Sequence, residues 1–201
     1  MPRFFINSTY GKGEIMFIPT CESVLDMSPT DFEKYSLQML GQQVKDLNDC
    51  KVQHNNIIEV DDGNYQIDGY IEFNLMGVTY KTIVECKHYK SSISREKVQV
   101  LYDKIRACGA NKGILISSSN FQSGAIEYAS KHGIALIQLT DAGEQYENRF
   151  QLNVIMNYPR IPYNDGCPYI GVMQSNTGVG IKCSYLSSTN LSLKEYLENV
   201  K

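Results

Sequence analysis

Asp68, Glu85 and Lys87 are the residues of this sequence whose types and spacing could do chemistry together. Glu85 and Lys87 lie one residue apart in the strand-like stretch Val78 to His88, so their side chains project to one face while Val84 and Cys86 project to the other. An acid and a lysine inside a strand are costly to bury without partners. Asp68 belongs to the preceding strand-like stretch, Tyr65 to Phe73. With a hairpin turn centred between Leu75 and Met76, Asp68 falls opposite Ile83, and Glu85 is its diagonal neighbour on the same face. Ile67, Ile71 and Phe73 then share the apolar face with Val84 and Cys86. A slip of one residue would destroy this separation.

Two carboxylates and a lysine at one spot suit hydrolysis of a phosphodiester. Carboxylate oxygens of Asp68 and Glu85 are hard ligands for Mg²⁺, with Mn²⁺ as an alternative, and leave positions for water and a phosphate oxygen. The metal polarises the phosphorus centre and lowers the pKa of its bound water. Lys87 can orient the attacking water, help to deprotonate it, or offset charge growing on the phosphate oxygens. Spacing alone allows a bland alternative, a surface ion-pair cluster on a half-exposed sheet.

The elements that must position these residues can be read outward from them. Ser28-Pro29-Thr30-Asp31 is a helix start with a capping serine, proline at the first helical position and an S-x-x-D pattern. Phe32, Tyr35, Leu37, Met39, Leu40 and Val44 continue it at helical spacing to about Leu47. Three strand-like stretches follow: Val52 to Val60, Tyr65 to Phe73 and Val78 to His88. Asp61 to Asn64 and Asn74 to Gly77 turn between them, which reads as an antiparallel meander. Ser94 is expected to cap a second helix that stops at Gly109. Gly113 to Ser117 is a short buried strand, Asn120 to His132 a third helix closed by Gly133, and Ile134 to Gln138 a further strand. A meander followed by two strand–helix units implies an α/β domain with a mixed sheet flanked by helices.

This places a core at residues 28–143, an extension at 1–27 and a tail or small subdomain at 144–201. Met1 to Thr20 carries two short apolar stretches around Gly11 and Gly13, a candidate hairpin. The tail is rich in Asn, Tyr, Gly and Pro, with strand-like pieces such as Leu152 to Met156 and a capping box at Ser192 to Glu195 opening a short helix. It is poor material for a large core of its own, so it is expected to pack on the core or on a second copy of the chain.

The 201 residues are 42% hydrophobic and 20% charged, ordinary for a globular protein. No apolar run reaches the roughly 20 residues of a membrane helix. The N-terminal residues are too short in apolar length for a secretion signal. A cytoplasmic location is the expectation. The six cysteines form no C-x-x-C pair and the three histidines no helical ligand pair, which argues against a zinc centre. The net charge of −3 argues against a general nucleic-acid coat protein. Yet residues 81–112 carry eight Lys or Arg against three acids, a local basic region that fits a polyanion.

Asp68, followed by Glu85-x-Lys87 on the next strand, resembles the PD-(D/E)XK nuclease superfamily, most closely its Mrr-like restriction endonucleases. Further stretches carry the likeness in order: Phe32-Glu33, Ile67-Asp68, Val84 to Tyr89, Lys112 to Phe121, Ala125 to Ala129, and Gly133 to Ile137. The D…E-x-K triplet is weak by itself; the ordered set over the middle half of the chain is specific. The resemblance implies a restriction-endonuclease-like core (α-β-β-β-α-β) that uses Mg²⁺ to cut DNA, in restriction or defence against foreign DNA. It also implies an acidic supporting role for Glu33 beside the metal. Glu33 in a first helical turn is favoured by the helix dipole in any case. Ile67 stands where the superfamily name has proline, and Gly69 after Asp68 suggests a bulge.

A double-strand cut needs two active sites, so a homodimer fits the resemblance, as does a recognition domain or partner protein. Lys90, Arg95 and Lys97 are candidate contacts to the DNA backbone. Ser117, Ser118 and Ser119 stand before a helix start where backbone N–H groups can meet phosphate, with helix capping by Ser119 or Asn120 as the alternative. His88 reads as packing or DNA-facing. Two other functions remain open at this level: a structure-selective repair nuclease of the junction-resolvase type, and a non-catalytic DNA-binding module on the same fold.

Overall fold

The computed structural model describes residues 17–19, 21–142, 168–186 and 190–199. The candidate hairpin before Phe17 and the stretch Leu152 to Met156 lie outside these residues. A single turn of 3₁₀ helix at Val24–Asp26 leads into α1, Pro29–Val44. Ser28 caps α1 reciprocally: its hydroxyl accepts the Asp31 N–H at 3.1 Å and donates to the Asp31 carboxylate at 2.8 Å.

Among the described residues seven strands form one sheet in sequence order: β1 (Lys51–Val60), β2 (Gly63–Leu75), β3 (Val78–Lys87), β4 (Lys112–Ser117), β5 (Ile134–Asp141), β6 (Tyr169–Asn176) and β7 (Ile181–Tyr185). β1, β2 and β3 are an antiparallel meander, β3, β4 and β5 are parallel, and β6 and β7 return antiparallel. Parallel neighbours need crossovers, supplied by α2 (Arg95–Ala107) and α3 (Ser123–His132). A last helix, α4, spans Ser192–Glu198. The fold is the expected mixed sheet flanked by helices, and the six elements from α1 onward run α-β-β-β-α-β. Among the described residues no helix is long and apolar enough to cross a membrane.

The sheet separates two apolar layers. On one side α1 and α4 bring Phe32, Leu40, Leu193 and Leu197 against Ile71, Phe73, Val84, Cys86, Ile114 and Ile116. On the other, α2 and α3 bring Val98, Leu101, Ala125 and Ile126 against Ile67, Ile83, Leu115 and Leu136. Both faces of β3 are therefore covered. The half-exposed sheet of the bland alternative is not found at β3, because the two crossovers lie over the face that carries Glu85.

Several boundaries differ from the sequence reading. The β2–β3 turn is the two-residue loop Met76-Gly77, with φ of 51° and 82°, the geometry that matches the twist of a tight hairpin. The register is thereby two residues away from the expectation: Tyr70, not Asp68, faces Ile83, and Gly69 faces Val84. A shift of two preserves which residues share a face. α2 does begin after Ser94, but the Ser94 side chain makes no capping bond. α3 starts later than expected, with Gln122 at its N-cap, so neither Ser119 nor Asn120 caps it. Ser192 is likewise inside α4, whose N-cap is Leu191. Gly109 and Gly133, at φ 61° and 65°, are the left-handed stops expected after the two crossover helices.

Candidate functional site

Asp68 sits where β2 stops being regular. In the β1 ladder its neighbours pair normally, His54 with Gly69 and Asn56 with Ile67, but the Asn55–Asp68 step is missing and Asn55 has φ of 53°. The pairing sums are unchanged across the gap, so no residue is inserted, and the bulge suggested by Gly69 is absent. The strand instead rolls at Asp68. Ile67 joins the α2/α3 layer, whereas Gly69 faces Leu37 of α1. The expectation that Ile67 shares a face with Ile71, Phe73, Val84 and Cys86 is thus corrected.

Gly69 is needed for closeness rather than for unusual dihedrals. A Cβ there would stand 2.2 Å from Leu37 Cδ2, far inside carbon–carbon contact. Its absence lets α1 press directly on the strand beside Asp68.

The β2–β3 ladder ends at Gly69–Val84, and the next step of that register brings Asp68 alongside Glu85. The Asp68 side chain takes over as the partner of β3: the Cys86 N–H donates to its Oδ2 at 2.7 Å. Burial pushes the Asp68 carboxyl above its ordinary pKa of 3.8; the Cys86 N–H opposes this, Glu85 adds to it, Lys87 opposes it, and Glu33 adds to it. Removal of this carboxylate from water is thus the main cause, and its partners here do not fully offset it.

Glu85 pairs in register with Leu115, so its side chain lies under α2 and α3, where it is 5% exposed. This degree of burial removes the surface-cluster alternative for Glu85. Both carboxylate oxygens are bonded: Lys87 Nζ donates to Oε2 at 2.8 Å and Lys104 Nζ to Oε1 at 2.5 Å. Lys104 also donates to the Gln66 carbonyl at 3.0 Å. For Lys87, burial favours the neutral amine, but the charge and hydrogen bond of Glu85 outweigh it, and its pKa is raised. Lys87 is accordingly an ammonium at neutral pH, a donor and a charge rather than a base.

Glu33 comes off the first turns of α1, and its Oε2 lies 3.1 Å from His54 Nε2 of β1, accepting from that ring nitrogen in the tautomer that carries its proton. It reaches the Asp68 neighbourhood electrostatically, without a direct bond. His88 packs against Phe32 with ring centroids 5.1 Å apart and meets the Val24 carbonyl at 2.9 Å, which is a packing role. Lys90 is exposed on the loop after β3, Arg95 is exposed at the start of α2, and Lys97 is half-buried in its first turn. Arg95 lies over the Tyr128 ring, 5.0 Å from its centroid.

The serines are engaged in holding that loop. Ser118 and Ser119 hydroxyls donate to the Tyr89 and Ser91 carbonyls at 3.0 and 2.7 Å, and the Ser118 N–H donates to the Lys87 carbonyl at 3.2 Å. They brace the end of β3 and are not free for phosphate. Lys104 and His54 were not singled out by the sequence. The available signal for Lys104 was its place between buried Leu101 and Ile105, seven residues after Lys97 on one helix face.

The two carboxylates are hard oxygen donors suited to a divalent ion. Among the described residues Asp68 Oδ1 has no hydrogen bond, and burial, with Glu85 and Glu33 nearby, raises the Asp68 pKa, so the pair fits Mg²⁺ or Mn²⁺. Among the described residues no group of three or more His, Cys, Asp and Glu side chains forms a complete cage; water and a phosphate oxygen would fill the other positions.

The sequence family described as restriction endonuclease, Mrr_cat, matches residues 24–143. No curated protein matches the chain. One solved structure, that of the protein of unknown function AF1548, is similar at 17% identity and a TM-score of 0.41. The likeness covers 49% of this chain and 53% of that one, so this chain spans about half its length.

Proposed function

The chain belongs to the Mrr-type restriction endonuclease family, and from that premise we propose that it is a Mg²⁺-dependent endonuclease that hydrolyses DNA, in restriction or defence against foreign DNA. The observation that carries the proposal is the junction of Asp68, Glu85 and Lys87. One side chain is tied to the Cys86 N–H, one is buried, and one is an ammonium on its neighbour.

Asp68 and Glu85 would hold the ion. Bound there, Mg²⁺ or Mn²⁺ supplies polarisation of the phosphate and a more acidic water. The Cys86 N–H keeps Asp68 oriented, which limits the reorganisation needed at the moment of reaction. Lys87 contributes charge: it steadies Glu85 and offers ammonium protons to phosphate oxygens as their charge grows. Glu33, held by His54, adds negative potential that favours a cation at Asp68. Lys90, Arg95 and Lys97, on the loop and helix that follow β3, are the proposed contacts to the DNA backbone. A cut through both strands requires two such sites, hence two copies of the chain.

Single-turnover cleavage of supercoiled plasmid, with Mg²⁺ and with chelator, tests this reading. Lys87→Ala should lower the rate by about 10²–10³-fold, with DNA binding in Ca²⁺ largely retained, because its contribution is made in the transition state. Cleavage by Lys87→Ala at the wild-type rate would refute the site. Methylated plasmid and a four-way junction run alongside separate restriction from repair of branched DNA.

A further inference from the structure

We propose that Lys104 is a positioning residue that occupies the divalent ion's place at Glu85 and sets how tightly the ion binds. The inference rests on the reading of Asp68 and Glu85 as metal ligands and goes beyond it, to a residue of another element. Lys87 and Glu85 share a strand. Lys104 reaches across from α2 and takes the remaining Glu85 oxygen, Oε1, at 2.5 Å. Glu85 is 5% exposed, and a buried carboxylate without a counter-charge is strongly disfavoured. Two lysine side chains therefore bond both of its oxygens and orient it before any ion arrives.

The same arrangement opposes the ion. Neither Glu85 oxygen is free of a lysine bond, so a cation that ligates Glu85 must displace an ammonium or stand beside one. Lys104 is the one equipped to yield. Its second bond, to the Gln66 carbonyl at 3.0 Å, gives the displaced ammonium an anchor a short distance away. Its three donors are not all committed to Glu85. Lys104 thus keeps Glu85 ready and makes the ion compete for it, and by linkage the ion weakens the Lys104–Glu85 bond to the same extent.

Calorimetric titration of Mn²⁺ into the wild-type protein and its variants tests this. Lys104→Met should bind Mn²⁺ about tenfold more tightly, a coupling of ordinary size. Lys104→Arg, which retains a cation, should stay near wild type. Arg106→Met removes an exposed charge from the same helix without touching Glu85 and should change nothing. Unchanged or weaker Mn²⁺ binding by Lys104→Met, or an equal gain in Arg106→Met, overturns the proposal. Asp68→Asn separates the two layers of argument: if it binds Mn²⁺ as wild type does, the metal site itself is wrong. If Asp68→Asn loses binding while Lys104→Met is unchanged, only the role of Lys104 falls. Should Lys104→Met not fold, Lys104→Gln carries the same expectation, since it keeps a donor for Gln66 but no charge.

Discussion

Gly69→Ala isolates the contact that seats α1 beside Asp68. The added methyl would stand 2.2 Å from Leu37 Cδ2, 3.1 Å from Cδ1 and 3.2 Å from Cγ. Leu37 is 1% exposed, so its δ-methyls would have to turn within the buried layer of α1. Overpacking of this kind costs about 1–3 kcal/mol. An opposing gain exists: alanine restricts the unfolded chain and favours folding by about 0.4–1 kcal/mol where its backbone is unstrained. Gly69 is not among the residues with positive φ, so that gain applies. The steric cost is the larger, leaving a net loss of about 1–2 kcal/mol. For a chain of this size that lowers Tm by about 2–8 °C. Thermal melts of Gly69→Ala, Leu37→Ala and the double variant measure it. Leu37→Ala alone should cost about 2–5 kcal/mol through its cavity. In the double variant the new methyl occupies part of that space, so the losses should fall short of additive by about 0.5–3 kcal/mol. Additive losses, or a Gly69→Ala protein as stable as wild type, would show that the close approach of Leu37 does not constrain the strand.

Asp68→Asn should stabilise the protein in chelator at neutral pH. The folded carboxyl has a raised pKa, so its ionised form disfavours folding above that value, and the penalty disappears as pH falls through it toward 3.8. The variant's advantage in Tm should therefore shrink on acidification, and a wild type that melts higher at neutral pH in chelator would contradict the cause assigned to the shift. Lys90→Glu should weaken DNA binding and reduce the slope of log K against log salt by about 0.9 per lost phosphate contact. Arg95→Glu should do the same while also releasing Tyr128, 5.0 Å away; an unchanged slope in both places these residues off the DNA.

The sequence made the order of elements legible because each has its own local signal. Ser28-Pro29 opens α1, alternating residues build the meander, and Gly109 and Gly133 close the crossovers. The pairing of Glu85 with Lys87 was legible for the same reason: a period of two puts them together whatever surrounds them. What could not be read depends on contacts distant in sequence. The two-residue shift of register follows from Met76 accepting a positive φ, which its residue type does not announce. Burial of Glu85 depends on α2 and α3 lying over β3, and the partnership with Lys104 spans 19 residues and two elements. The roll at Asp68 sends Ile67 and Gly69 to opposite layers and breaks the alternation on which the face assignment relied.

The antiparallel return of β6 has a consequence for solubility. β5 is almost wholly apolar through Ile134-Ala135-Leu136-Ile137 and would be an outermost strand if the sheet ended there. A long, apolar strand with unsatisfied amides along one side is a template for intermolecular pairing. β6 hydrogen-bonds to β5 from Leu136 to Asp141, and β7, outermost among the described strands, carries Lys182, Ser184 and Tyr185. A fragment trimmed to residues 24–143, the span of the family match, would retain every proposed catalytic group and still carry a strong tendency to self-associate.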